Sequence, residues 1–533
     1  MTRCLVCLLI LYIAFSLGCS DSQKEQTSSV FHYNQHNPIT SLDPAYARSQ
    51  NNIWAVNHLF STLIRLDDSL NTVPSIAKSW NISDDGLIYT FQLRDDVFFH
   101  QNPCFQNEEE RQLRADDVVY SFYRLIDTTI NAPGSWIFSG RVSKENPFVA
   151  LDDLTFQLTL AQPFAPLLSL LTMQYTSIIP EEAVDYYGSN FFQNPVGSGP
   201  FQFKKWLDNQ GLFLIRNDDF FGWNEGYSAN ISGIRTSFIG ERSIAFLELV
   251  NGRIDFFSGL ESSFINTALE ANGSLRAPFQ DRIQFIKSPY LNFEYMGIYP
   301  GAPNAHPLLS QVAFRKALNM GIDRSLMLSS LRNNIGIPAD AGVITKGLPS
   351  YDPSIVRGYF FNPDSARQLL RSFDSELLSE PLIIQTSKDY LDLTTFIAKQ
   401  WENLGLTISI EVLESATLRN AMRSGEAAMF RASWIADYPD GESFLSMFYS
   451  GNPAPPNYTR YSNPDFDSLY QQALNTSEPT EKISLYQEMD RMIIEDAPVV
   501  FLFYDEIALF ARQNLNGISR NALNLLQADH LQK

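Results

Sequence analysis

Cysteine is nearly missing from this chain: there are four in 533 residues, and Cys4 and Cys7 fall inside an N-terminal apolar run. That density excludes a disulfide-stapled scaffold. Basic residues are the minority charge, 39 Lys and Arg against 59 Asp and Glu, for a net charge of -20. Binding along a phosphate backbone needs a basic footprint, so nucleic acid is not an expected partner. Beyond the N-terminus no apolar run reaches the roughly 18 residues that a membrane-spanning helix needs. Repeats at solenoid periods, low-complexity tracts and a Pro/Gly linker after residue 30 are also missing. A chain of this length holds two or three domains, and without linkers they are expected to be interleaved.

Motifs of catalysis are missing too. The six histidines, His32, His36, His58, His100, His306 and His530, form no zinc-binding spacing. Gly197-Ser198-Gly199 lacks the G-x-S-x-G frame of a nucleophile elbow and the Gly-Lys-Ser/Thr of a phosphate loop. It reads as a turn entering the strand Phe201-Gln202-Phe203. The neighbouring carboxylates Asp116 with Asp117 and Asp437 with Asp440 come with no nucleophile or metal spacing. The expectation is a protein without metal, cofactor or catalytic residues, and hence not an enzyme.

What is present begins at the N-terminus. Arg3 precedes an apolar run, Cys4 to Leu17, then Gly18-Cys19 and a polar stretch from Ser20 to Ser29. This is the pattern of a secretory signal peptide, residues 1–18, followed by a tether, residues 19–30. Leu17-Gly18-Cys19 resembles the bacterial lipobox, in which the cysteine is acylated, although Ser16 stands where that motif has Leu. Ala14-Phe15-Ser16 offers an ordinary signal-peptidase site instead, which would leave Cys19 a plain thiol. The lipid-anchored reading, with Cys19 as the modified residue, suits the flexible tether better. Cys104 is then the one remaining thiol and has no intramolecular partner.

Two kinds of segment alternate downstream. Residues 70–200 are strand-rich, with short β-branched and aromatic runs at 87–93 and 155–160. Residues 300–500 alternate strands and helices: a strand at 382–386, a helix at 391–404, a strand at 406–412, a helix at 418–423 stopped by Gly425, and a strand at 427–434. That order predicts βαβ crossovers and a partly parallel sheet. Asn362-Pro363 and Asn463-Pro464 read as helix starts, an N-cap residue before proline at the first helical position. Ile483, Tyr486, Met489 and Ile493 mark one face of a further helix ending near Pro498.

Several stretches, in a shared order, resemble the peptide/nickel class of ABC-importer solute-binding proteins (family five, the oligopeptide- and dipeptide-binding proteins). They are Ser41-Leu42-Asp43-Pro44; Ala77-Lys78-Ser79-Trp80 with Asp84-Asp85-Gly86 and Tyr89 to Arg94; and Ala115-Asp116-Asp117 with Val118 to Ser121. Next come Val196 to Phe201, then Phe314-Arg315-Lys316-Ala317-Leu318 with Ile322-Asp323-Arg324. The last are Trp434-Ile435-Ala436-Asp437-Tyr438-Pro439-Asp440 and Tyr461 to Asp467. The chain departs from the pattern at residues 99–113, where an acidic insertion Glu108-Glu109-Glu110 stands, and at Ala313-Phe314.

The resemblance implies an α/β, two-lobed periplasmic-binding-protein (type II) fold with a hinge and an additional α+β domain. Lobe I would combine residues 31–65, 197–289 and 499–533; the extra domain would be 66–196 and lobe II 290–498. It further implies an extended short peptide pairing with backbone from Asn37 to Ser41 and from Ser433 to Asp437. Asp437 matches the aspartate that meets the ligand α-ammonium in peptide-binding relatives; a turn or capping aspartate before Tyr438-Pro439 is the structural alternative. Arg431 matches a basic residue for the ligand carboxylate, against a plain strand arginine. Ser433, Ile435, Asn37 and Ile39 would border the cleft, as would Trp434, for which a core tryptophan is the alternative, with Tyr295 and Tyr504 ranked lower. The implied partners are short peptides and separately encoded permease and ATPase subunits, with the receptor a monomer held in the periplasm or cell envelope by its lipid. Another cargo in the same fold (nickel chelate, haem, glutathione or an oligosaccharide) is the alternative. A secreted hydrolase or an adhesion lipoprotein would require motifs or repeats that are missing.

Overall fold

The computed structural model describes residues 30–105, 111–259, 262–476 and 478–533. The signal peptide, Cys19, nearly all of the tether and the acidic insertion therefore lie outside the described residues; Val30 already opens a strand, Val30–Gln35.

Two unusually long apolar strands organise the molecule. Ile283–Ile298 and Val499–Arg512 run antiparallel at the centre of an 11-stranded sheet. Their alternate residues enter different cores: Phe293 and Tyr295 pack on one side, Met296 and Ile298 on the other. Strands buried on both faces read as nearly continuous apolar runs, as Val499–Arg512 does apart from Asp505, Glu506 and Arg512, whereas Ile283–Ile298 also carries Gln284, Lys287, Ser288, Asn292 and Glu294. Pairing of Ile283–Pro289 with Glu506–Arg512 breaks at Pro289, which has no N–H to donate, and resumes at Phe293 with Tyr504. The break divides the sheet into two lobes. On one side lie Phe256–Ser258, Val30–Gln35, Gly233–Phe238, Gly211–Arg216 and Phe201–Leu207; on the other lie Met429–Ile435, Leu382–Ser387 and Ile408–Leu413.

The second lobe carries the expected βαβ order. Leu382–Ser387 pairs in parallel with Ile408–Leu413 and touches Met429–Ile435 in parallel at Gln385 and Phe430. The intervening helices are Leu391–Glu402 and Ser415–Ser424. The second begins three residues before its apolar periodicity, because its first turn, Ser415-Ala416-Thr417, is too polar to show a stripe. It ends at Gly425, whose φ of +83° is the left-handed C-cap that glycine adopts without a Cβ penalty. The Asn362 and Asn463 side chains accept the N–H groups of Ser365 and Asp465, as N-caps do.

The strand-rich segment forms its own antiparallel sheet, ordered Ala77–Ile82, Ile88–Leu93, Thr155–Thr159, Phe148–Asp152, under the helix Ala115–Ile126. Its apolar core runs without a break into that of the first lobe. An ion pair reinforces the junction: the Arg124 guanidinium grips both carboxylate oxygens of Asp43, at 3.0 and 2.6 Å. Gly197 and Gly199 press against the C-terminal end of the helix Gln50–Leu59, where a Cβ on either would collide with the backbone of Leu59.

Candidate ligand cleft

The strand Met429–Ile435 ends beside the break in the central pair and turns sharply through Ala436-Asp437-Tyr438-Pro439-Asp440. The turn is held from below. Asp440 accepts the Tyr486 hydroxyl at 2.6 Å, the Lys482 ammonium at 3.0 Å and the Glu442 N–H at 3.0 Å. Buried Glu442 accepts the hydroxyls of Tyr438 and Tyr470. Ala436 is tied to the crossing strand by its N–H on the Leu291 carbonyl, 2.8 Å.

So fixed, the turn presents Asp437 to a cavity of about 340 Å³ that lies between the lobes. Ile435 and Asp437 enter it from the second lobe, Arg48 and Trp54 from the first, Tyr175 from the added domain and Tyr290 from the crossing strand. Trp54 is oriented by its indole N–H, which donates to the Asn524 carbonyl at 2.7 Å.

Asp437 is open to the cleft and makes no hydrogen bond or ion pair among the described residues. Surrounding protein withdraws enough water to raise its carboxyl above the usual range, and no cation offsets that. Tyr175 stands within electrostatic reach: burial pushes its hydroxyl up to about 12, the Asp437 charge adds to the rise and Arg48 opposes it. A confined, unpaired carboxylate facing aromatic walls is complementary to a cation that brings its own hydrogen-bond donors.

The other sequence-selected residues are placed elsewhere. Arg431 is buried, ion-paired to Glu294 and stacked over the Tyr390 ring. Trp434 is half-buried and donates to the Ser443 carbonyl at 2.7 Å. Ser433 lies opposite Glu294 in the strand register. Ile39 is buried in the first lobe, and Asn37 is exposed just past Val30–Gln35. Tyr295 and Tyr504 belong to the second lobe's core; the Tyr504 hydroxyl donates to the Gly342 carbonyl at 2.8 Å. Of the nine, Asp437 and Ile435 line the cavity. Arg48, Trp54, Tyr175 and Tyr290 were not singled out from sequence. The nearest signal was Asp43, whose ion pair fixes the segment leading to Arg48.

A model of the family described as "Bacterial extracellular solute-binding proteins, family 5 Middle" matches residues 71–456. Among curated relatives, the probable D,D-dipeptide-binding periplasmic protein DdpA of Escherichia coli is 25% identical, over 91% of this chain and 90% of its own. Heme-binding protein A of Haemophilus influenzae is 26% identical, over 81% and 78%. Among solved structures, HbpA2 from Haemophilus parasuis superposes with a TM-score of 0.81 at 22% identity, over 94% and 99% of the two chains. DppA from Helicobacter pylori in complex with peptide STSA gives 0.74 at 24% identity, over 94% and 97%.

Proposed function

This chain belongs to the bacterial extracellular solute-binding proteins, family 5, and from that premise we propose that it is the receptor of an ABC importer for short peptides. The peptide would lie extended between the lobes, its α-ammonium on Asp437, and would be handed to permease and ATPase subunits encoded separately. The observation that carries the reading is Asp437: a carboxylate held in the interlobe cavity by a braced turn, without a cation of its own. Backbone pairing accepts many sequences, while one charge fixes the ligand's direction. Export by the N-terminal segment and anchoring through an acylated Cys19 would place this receptor monomer at the membrane surface, in the periplasm or cell envelope.

Haem is the competing cargo, because one relative is named for it. Native mass spectrometry of protein purified without denaturation separates the two, through co-purified peptide masses or a haem adduct. Calorimetry then tests the ammonium site directly. A peptide with a free amine should bind at least about tenfold more tightly than its N-acetyl form, the loss of a charged hydrogen bond. Equal affinities would refute the role of Asp437.

A further inference from the structure

The turn that presents Asp437 is braced within the second lobe, and its next residue is also gripped from outside that lobe. Tyr438 is buried, and its ring packs into the apolar core shared by the first lobe and the added domain. The ring lies 6.2 Å from that of Trp136 in the added domain, tilted by 31°. The hydroxyl at its far end donates to Glu442 of the second lobe. Trp136 belongs to the short turn Pro133–Ile137. The same turn backs the cavity at a second point, because a Cβ on Gly134 would stand 2.4 Å from the Tyr175 ring. Two more interactions cross this seam. The Ala165 N–H donates to the Leu474 carbonyl at 2.9 Å. Arg141, held on the Trp136 carbonyl, opposes the rise that burial imposes on the Glu442 carboxyl. Trp136 itself is not among the residues that line the cavity.

We infer that Trp136 is a positioning residue for the ligand site: by packing on Tyr438 it fixes the direction in which Asp437 points into the cavity. The bond to Glu442 holds one end of the Tyr438 side chain and leaves its ring free to swing about that point. The face of Trp136 removes that freedom. Asp437 and Tyr438 share a planar peptide unit, so a swing at Tyr438 carries the Asp437 carboxylate with it. A carboxylate already aimed loses less freedom when an ammonium arrives, and affinity rises accordingly. The added domain, whose core is continuous with that of the first lobe, thus takes part in recognition from behind the second lobe's turn.

This inference rests on Asp437 as the ammonium site, and calorimetry keeps the two separable. Trialanine and Leu-Leu, each with a free amine and as the N-acetyl form, are titrated into wild type, Trp136→Ala, Trp136→Leu and Trp136→Phe. Tyr123→Ala, at an exposed position of the added domain, is the control. In Trp136→Ala and Trp136→Leu the preference for the free amine should shrink by about 3- to 10-fold, the range of one aromatic pair, with affinity for the N-acetyl forms unchanged. Trp136→Phe, which keeps an aromatic face, and Tyr123→Ala should keep the wild-type preference. The leucine variant refills the volume and carries the test if the alanine variant does not fold. A folded Trp136→Ala or Trp136→Leu that keeps the full preference, or that loses affinity equally for both forms, overturns the positioning role and leaves the peptide reading intact. Equal affinity of wild type for both forms, or failure of every peptide to bind it, overturns the ammonium site and this inference together.

Discussion

Asp437 and Arg431 lie six residues apart on one strand and its turn, and what faces each decides its fate. Arg431 meets Glu294 on the neighbouring strand and is satisfied inside the sheet. Asp437 passes the end of the ladder, where the facing surface belongs to the other lobe across open space. Replacing it with Asn keeps the shape and removes the charge, so affinity for a free-amine peptide should fall about 10- to 100-fold by calorimetry, with no fall in the melting temperature. Only the ionised carboxylate attracts an ammonium, and desolvation raises its pKa. Wild-type affinity should therefore weaken on acidification, starting at a higher pH than an ordinary carboxylate would give. Asp437→Asn should show no such pH dependence.

A second buried carboxylate governs an element. Asp490, on the helix Pro479–Asp496, accepts the N–H groups of Val343 at 2.7 Å and Ile344 at 3.3 Å and has no ion pair among the described residues. Burial pushes its carboxyl up to about 7. The folded chain thus holds a proton there that the unfolded chain, with a carboxyl near about 4, releases. Stability consequently falls as pH rises between those values, by at most about 1.4 kcal/mol per pH unit, and levels off above 7. In melts from pH 4 to 8, Asp490→Asn should gain on wild type progressively through that window; a constant offset would show that Asp490 does not titrate there. The residues of the shared motifs act likewise as braces: Arg315 caps the end of the same helix through the carbonyls of Asp496 and Ala497, and Arg324 binds that of Phe501.

At the scale of the molecule, two continuous strands join the lobes, and the longer of the two irregularities in their pairing runs from Pro289 to Phe293, the other being a one-residue shift between Glu294 and Tyr295. An interrupted ladder bends more readily than a paired one, so ligand that bridges the lobes should close them about this point. Small-angle scattering should show a smaller radius of gyration at saturating peptide. At the same peptide concentration Asp437→Asn should stay extended.

Much of this was readable in the chain because it is local. The helix caps at Asn362 and Asn463, the stop at Gly425 and the parallel order of the strands from Leu382 to Ile435 depend on neighbours a few residues away. The ordered motifs were readable too, and the structure makes most of them braces. Asp437 was singled out through the resemblance, as a member of one of them. The rest of the cavity was not readable. Arg48, Tyr175, Tyr290 and Asp437 are brought together only when the first lobe, the added domain and the second lobe pack around the crossing strands. Periodicity and capping express contacts within an element, so the sequence by itself determined the elements and their order. Which charge is left without a partner depends on contacts between residues hundreds apart, and only the tertiary structure decided that Arg431 is neutralised while Arg48 and Asp437 are not.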